Sequence, residues 1–111
     1  MKHIEIQTEA EFTAALKEHE LCVVDFYKDN CPGCSMLTNT FKVLDESGQF
    51  PDLPLLKVKM ENIGEDFFTA QGLRQTPTVK IYIDGEAVIM APGFSSPSTM
   101  KSLIKQAQGS L

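Results

Sequence analysis

The chain has no tryptophan, three cysteines, two histidines, no run of basic residues, and no apolar stretch of the roughly 18 residues that a membrane-spanning helix needs. Each shortage excludes something. Without a basic cluster, and with 15 acidic against 10 basic residues for a formal charge of −5, the surface suits neither nucleic acid nor an anionic membrane. An odd cysteine count does not make a disulfide framework, which points to a reducing compartment such as the cytosol. A structural zinc site wants four ligands, and beyond one C-x-x-C the chain supplies only Cys22, His3 and His19. No internal repeat or low-complexity linker breaks the sequence. The start, Met1-Lys2-His3-Ile4-Glu5, leads into no apolar segment, so neither a signal peptide nor a membrane span is expected.

What is present is ordinary in bulk and specific in detail. At 111 residues, 42% of them hydrophobic and 23% charged, the expectation is one globular domain over 1–111 with a core that needs no staples. Ile4 and Ile6 alternate with polar residues as a first strand, and Thr8 with Glu11 forms a capping box that opens a helix carrying Phe12, Ala15 and Leu16 on one face. Leu21 to Tyr27 reads as a strand buried on both faces. A helix runs from the C-x-x-C to about Glu46, and Leu55 to Met60 makes a third strand. A short helix with Phe67 and Phe68 lies between Gly64 and Gly72. Thr78 to Ile83 and Ala87 to Met90 form a hairpin around Asp84-Gly85, and Ser96-Pro97 opens a last helix with Met100, Leu103, Ile104 and Ala107 as its apolar stripe. The order β-α-β-α-β-α-β-β-α predicts an α/β fold, a mixed sheet with helices on both faces.

The chemistry concentrates at Cys31-Pro32-Gly33-Cys34, where a strand feeds a helix. A cysteine capping that helix can accept hydrogen bonds from the N–H groups of Gly33 and Cys34, and Pro32 at the first helical position has no N–H to lose. Helix mouths and C-x-x-C settings lower a thiol from about 8.5 to roughly 3.5–7.5, a general magnitude for such sites. Cys31 is therefore the expected nucleophile and Cys34 the resolving thiol. Asp25 shares a strand face with Val23 and Tyr27. Its position leaves two readings: a buried carboxyl with a raised pKa that exchanges protons beside the dithiol, or a solvated acid on a wet part of the sheet. Lys57 is either its ionic partner or a surface lysine. Pro77 after Thr76 is either an edge device at a strand start or a deliberate cis peptide. Cys22 reads as an inert core thiol.

Taken together, Val24-Asp25-Phe26, the C-x-x-C, Thr76-Pro77-Thr78, Asp84-Gly85-Glu86 and Gly93 resemble the thioredoxin family in order and spacing, over nearly the whole chain. The resemblance implies a thioredoxin fold, a buried acid at Asp25, a cis bond before Pro77, and dithiol–disulfide exchange with protein substrates docked on Pro32, Gly33, Thr76, Pro77 and Gly93. It also implies a cytoplasmic monomer, without metal or cofactor of its own, recharged by an NADPH-dependent thioredoxin reductase and serving electron transport and redox homeostasis. The chain departs from the family's Trp-Cys-Gly-Pro-Cys. Asn30 precedes Cys31, the central pair is Pro-Gly, Tyr27 stands where tryptophan is common, and Asn39 replaces the proline that kinks the helix. Cys-Pro-x-Cys is more like glutaredoxin, yet the glutathione-holding Gly-Gly-x-Asp is missing after Pro77. Two alternatives stay open: a glutaredoxin-like donor, for example to a ribonucleotide reductase, and a non-catalytic binding subunit.

Overall fold

In the computed structural model, which describes residues 1–111, ten elements follow one another: β1 (Lys2–Ile6), α1 (Glu9–Glu18), β2 (Leu21–Tyr27), α2 (Pro32–Ser47), β3 (Pro54–Lys59), α3 (Met60–Ile63), α4 (Glu65–Ala70), β4 (Thr78–Ile83), β5 (Glu86–Pro92) and α5 (Pro97–Gln108). The strands form one mixed sheet in the order β1-β3-β2-β4-β5. β3 is parallel to both β1 and β2, while β4 runs antiparallel to β2 and to β5.

Strand β2 lies at the centre, and its alternation divides the core. Val23 points to one side, where Leu37, Phe41 and Leu44 of α2 and Met100, Ile104 and Ala107 of α5 pack over Leu55, Val79 and Ile81. Cys22, Val24 and Phe26 point to the other, beneath Phe12 and Ala15 of α1 and Phe67 and Phe68 of α4. A strand that is apolar at consecutive positions needs cover on both faces, and the helices supply it.

Local signals in the sequence set most boundaries. Thr8 caps α1 by accepting the Glu11 N–H at 3.1 Å, and the Glu11 carboxylate accepts from Gln7 rather than from Thr8 itself. Ser96 caps α5 with Pro97 in its first turn. Asp84 (φ 51°) and Gly85 (φ 81°) both take the left-handed conformation of a tight hairpin turn. Several boundaries differ from expectation, and β5 runs over Glu86–Pro92 where Ala87 to Met90 was expected. Pro54, one residue ahead of the expected start at Leu55, is the first residue of β3, a position where its missing N–H is tolerated. The third strand stops at Lys59, and Met60–Ile63 forms a separate helical turn ahead of α4. Gly64, at φ 105°, separates the two helices in a conformation that a side chain would strain.

Candidate active site

Cys31 is the N-cap of α2, with extended backbone at φ −125°, and Pro32 holds the first helical position. Its sulfur accepts the Cys34 N–H at 3.2 Å; of the two donors expected there, the Cys34 N–H is the one that engages. A disulfide joins Cys31 and Cys34, their Cα atoms 5.2 Å apart. The two cysteines differ in access. Cys31 is half-buried at the helix mouth, whereas Cys34 is buried as the first residue of the stripe Cys34, Leu37, Phe41, Leu44 that α2 turns inward. The Thr76 hydroxyl lies 3.8 Å from the Cys31 sulfur. A disulfide sulfur carries no hydrogen, so in this state only the hydroxyl can donate.

The Thr76–Pro77 peptide is cis, as the family resemblance implied. Pro77 is buried, and a Cβ placed on Gly33 would come within 3.2 Å of its Cδ, so the residue between Pro32 and Cys34 lets this loop pack on the mouth of α2. The Gly93 N–H donates to the Pro77 carbonyl at 2.8 Å from a left-handed backbone (φ 81°). Pro32, Gly33, Thr76, Pro77 and Gly93 are thus brought around the dithiol, with Phe94 exposed beside Gly93.

Asp25 lies on the sheet face that α2 covers and is 1% exposed. Its Oδ2 accepts from Lys57 Nζ at 2.8 Å, the two residues standing opposite each other across β2 and β3. Lys57 is therefore a partner, not a free surface lysine. The other oxygen, Oδ1, has no hydrogen-bond partner. Burial pushes the Asp25 carboxyl above its ordinary range, and Lys57 offsets this only in part. Cys22 is fully buried on the opposite face, where desolvation pushes its thiol up to about 11. Nowhere do three His, Cys, Asp or Glu side chains come together in a way that could hold a metal ion.

Of the polar residues that flank the dithiol, the sequence pointed only to Asn30, as a departure from the family pattern. Lys28, Asp29, Asn30, Ser35 and Thr38 line an open groove of about 560 Å³ that reaches Cys31 and Cys34. Asn30 adopts φ 54°, which asparagine tolerates better than most side chains. The preceding turn is tied down, since the Asp29 N–H donates to the Glu61 carboxylate (3.2 Å to Oε2) and Lys59 pairs with Asp29 at 2.9 Å. The odd charge pattern Lys28-Asp29-Asn30 was the available signal, but nothing in it says which helix mouth it borders.

Comparison with known proteins places this geometry. The family model for thioredoxin matches residues 3–106. The chain is 30% identical over 105 residues to a thioredoxin of Mycoplasmoides gallisepticum, covering 95% of this chain and all of that relative (100%). It is 27% identical over 100 residues to Thioredoxin-1 of Saccharomyces cerevisiae, covering 90% and 93%. Among solved structures, a mutant thioredoxin from Halobacterium salinarum superposes with a TM-score of 0.82 at 27% identity, covering 95% of this chain and 89% of that one. Plasmodium falciparum thioredoxin, at 23% identity and a TM-score of 0.80 over 96% and 98% of the two chains, shares the fold.

Proposed function

Because this chain belongs to the thioredoxin family of protein-disulfide oxidoreductases, its Cys31–Cys34 pair is a thiol–disulfide exchange centre, and we propose that it reduces protein disulfides through a mixed disulfide on Cys31. In the reduced protein the Cys31 thiolate attacks one sulfur of the substrate disulfide. A bond forms between Cys31 and that sulfur, and the other substrate sulfur leaves as a thiolate that takes up a proton. Cys34, deprotonated, then attacks the Cys31 sulfur. The second substrate thiolate departs, and two electrons have passed from the dithiol to the substrate. The observation that carries this reading is the asymmetry at the mouth of α2: one sulfur is reachable and held by a helix N–H, while its partner is buried one turn along. The Cys34 N–H and the unpaired end of a 16-residue helix favour negative charge on Cys31 over Cys34.

Asp25 is the proton acceptor for Cys34 in this scheme. It lies beneath α2, its raised pKa suits proton exchange nearer neutrality, and its Oδ1 has no other partner. Lys57 keeps the carboxylate from being prohibitively costly to ionise. Substrate binds as an extended segment against Thr76 and the cis-Pro77 loop, with Pro32, Gly33 and Gly93 forming the rest of the docking surface. The electron source is an NADPH-dependent thioredoxin reductase, and the protein works as a monomer in the cytosol. A free buried Cys22 fits a reducing compartment, and no helix is long and apolar enough to cross a membrane.

The test is reduction of a disulfide-bonded protein such as insulin by the chain with a thioredoxin reductase and NADPH, beside the same assay with glutathione alone. Cys31→Ser should be inactive, and Cys34→Ser should trap substrate on Cys31. Iodoacetamide at low stoichiometry should label reduced protein at Cys31. Labelling centred on Cys34, or a trapped adduct on any other residue, overturns the assignment.

A further inference from the structure

A second cleft, of about 190 Å³, opens on the Thr76 side of the dithiol. Lys28 and Arg74 line it together with Gln75, Thr76 and Glu65. Arg74 is the chain's only arginine. Both cations are exposed, and neither takes part in any of the five ion pairs, which use Met1, His3, His19, Lys57 and Lys59. Lys28 also lines the larger groove that reaches Cys31, so it borders both that groove and the Thr76 cleft. Asp29, the acid next to it, is already matched by Lys59. In a chain of net charge −5, an unmatched Lys28 in the groove that reaches Cys31 and an unmatched Arg74 in the cleft that includes Thr76 run against the charge of the whole surface.

We propose that Lys28 and Arg74 read acidic side chains flanking the substrate cysteine, so that the protein prefers disulfides in acidic peptide segments. The inference rests on Cys31 being the attacking sulfur. A segment lying against Thr76 to present its disulfide to Cys31 lies next to this cleft, because Thr76 lines the cleft and its hydroxyl stands 3.8 Å from the Cys31 sulfur. Arg74 offers a planar fork that matches a carboxylate, and Lys28 a movable point charge. Glu65, in the same cleft, works against an acidic ligand and in favour of a basic one. Exposed pairs of this kind act mostly through charge complementarity and encounter rate.

The experiment uses three synthetic peptides, each with one intramolecular disulfide, identical except that the residues flanking one cysteine are two Glu, two Gln or two Lys. Single-turnover oxidation of the pre-reduced protein is followed at low and at high salt. At low salt the Glu peptide should react about three- to tenfold faster than the Lys peptide, the range that two solvent-exposed contacts allow. Salt should compress the ratio. Lys28→Gln with Arg74→Gln should bring it close to one, Glu65→Gln should widen it, and Lys105→Gln on α5 should leave it unchanged. A ratio at or below one, or one that the double substitution does not move, overturns the inference. If all three peptides are reduced at equal rates, the inference alone falls. If none is reduced, the disulfide-reductase reading has failed and takes the inference with it.

Discussion

Asp25 combines two opposing demands in one side chain. Its burial raises the cost of ionisation, and the Lys57 ammonium at 2.8 Å recovers only part of it, since one carboxylate oxygen stays without a partner. The folded-state pKa therefore lies above the unfolded one, which is about 3.9. The folded chain holds this proton to higher pH than the unfolded chain does. Stability linked to Asp25 is thus fully present below about pH 3.9 and is lost as pH rises through the folded value. Asp25→Asn removes that loss. By this linkage the variant should be more stable than the parent at pH 7, with the gain shrinking toward pH 4, as read from urea unfolding at both pH values. Lys57 is 13% exposed, so its ammonium can reach water once its partner is gone. The same variant should release mixed disulfides more slowly. A less stable variant of full activity would count against both the buried charge and its role.

Elements are held to one another by bonds whose partners lie far apart in sequence. The Thr40 hydroxyl of α2 donates to the Ser95 carbonyl at 2.7 Å, both residues buried, and so fastens α2 to the loop ahead of α5. Thr40→Val keeps the shape and leaves that carbonyl unpaired. Denaturant titration should find it less stable by about 1–3 kcal/mol, with Cys31 still the reactive thiol. Gly93 joins the end of β5 to the active-site loop through the Pro77 carbonyl. A methyl group there would approach Gln75 Nε2 to 3.1 Å, but that amide ends a flexible side chain and can swing aside. The φ of 81° cannot be relieved so easily. Gly93→Ala should cost about 1–2 kcal/mol and lower kcat/KM for protein disulfides, because relaxing the backbone shifts Pro77. Unchanged kcat/KM in a destabilised variant would separate the loop's packing from its part in docking.

At the scale of the whole molecule, β2 contributes Val23 to one core and Val24 to the other, so neither core can be dismantled without exposing the central strand. The Cα radius of gyration, 12.8 Å, is close to the roughly 13 Å expected for a compact single domain of this length. We take residues 1–111 as one cooperative unit. The two tyrosines test it, since they sit on opposite faces of the sheet, Tyr82 in the core beneath α1 and Tyr27 on the α2 side beneath which Asp25 is buried. With no tryptophan to mask them, tyrosine fluorescence of Tyr27→Phe and Tyr82→Phe variants reports each side separately. Each transition in urea should coincide with its own far-ultraviolet circular dichroism. Two separated transitions would show that the cores unfold independently.

The sequence by itself determined whatever depends on near neighbours in the chain. The caps at Thr8, Cys31 and Ser96, the Asp84-Gly85 turn, the two-sided burial of Leu21–Tyr27 and the inward face of α2 follow from side chains that reach backbone a few residues away. The dithiol was legible for the same reason, because helix-mouth chemistry needs only Cys31 and the three residues after it. Tertiary structure decided what depends on strand register and loop packing. Periodicity tells which face Asp25 and Lys57 occupy, but only the β2–β3 pairing sets them opposite each other across 32 residues. Thr76 reaches Cys31 across 45 residues, and Arg74 shares a cleft with Lys28 in the same way. The division of Met60–Ala70 into two short helices also escaped the pattern, since each is too short to show a period and Gly64 alone marks the break. Local chemistry is encoded within a turn of the chain, whereas the company a side chain keeps is settled by how the whole sheet closes.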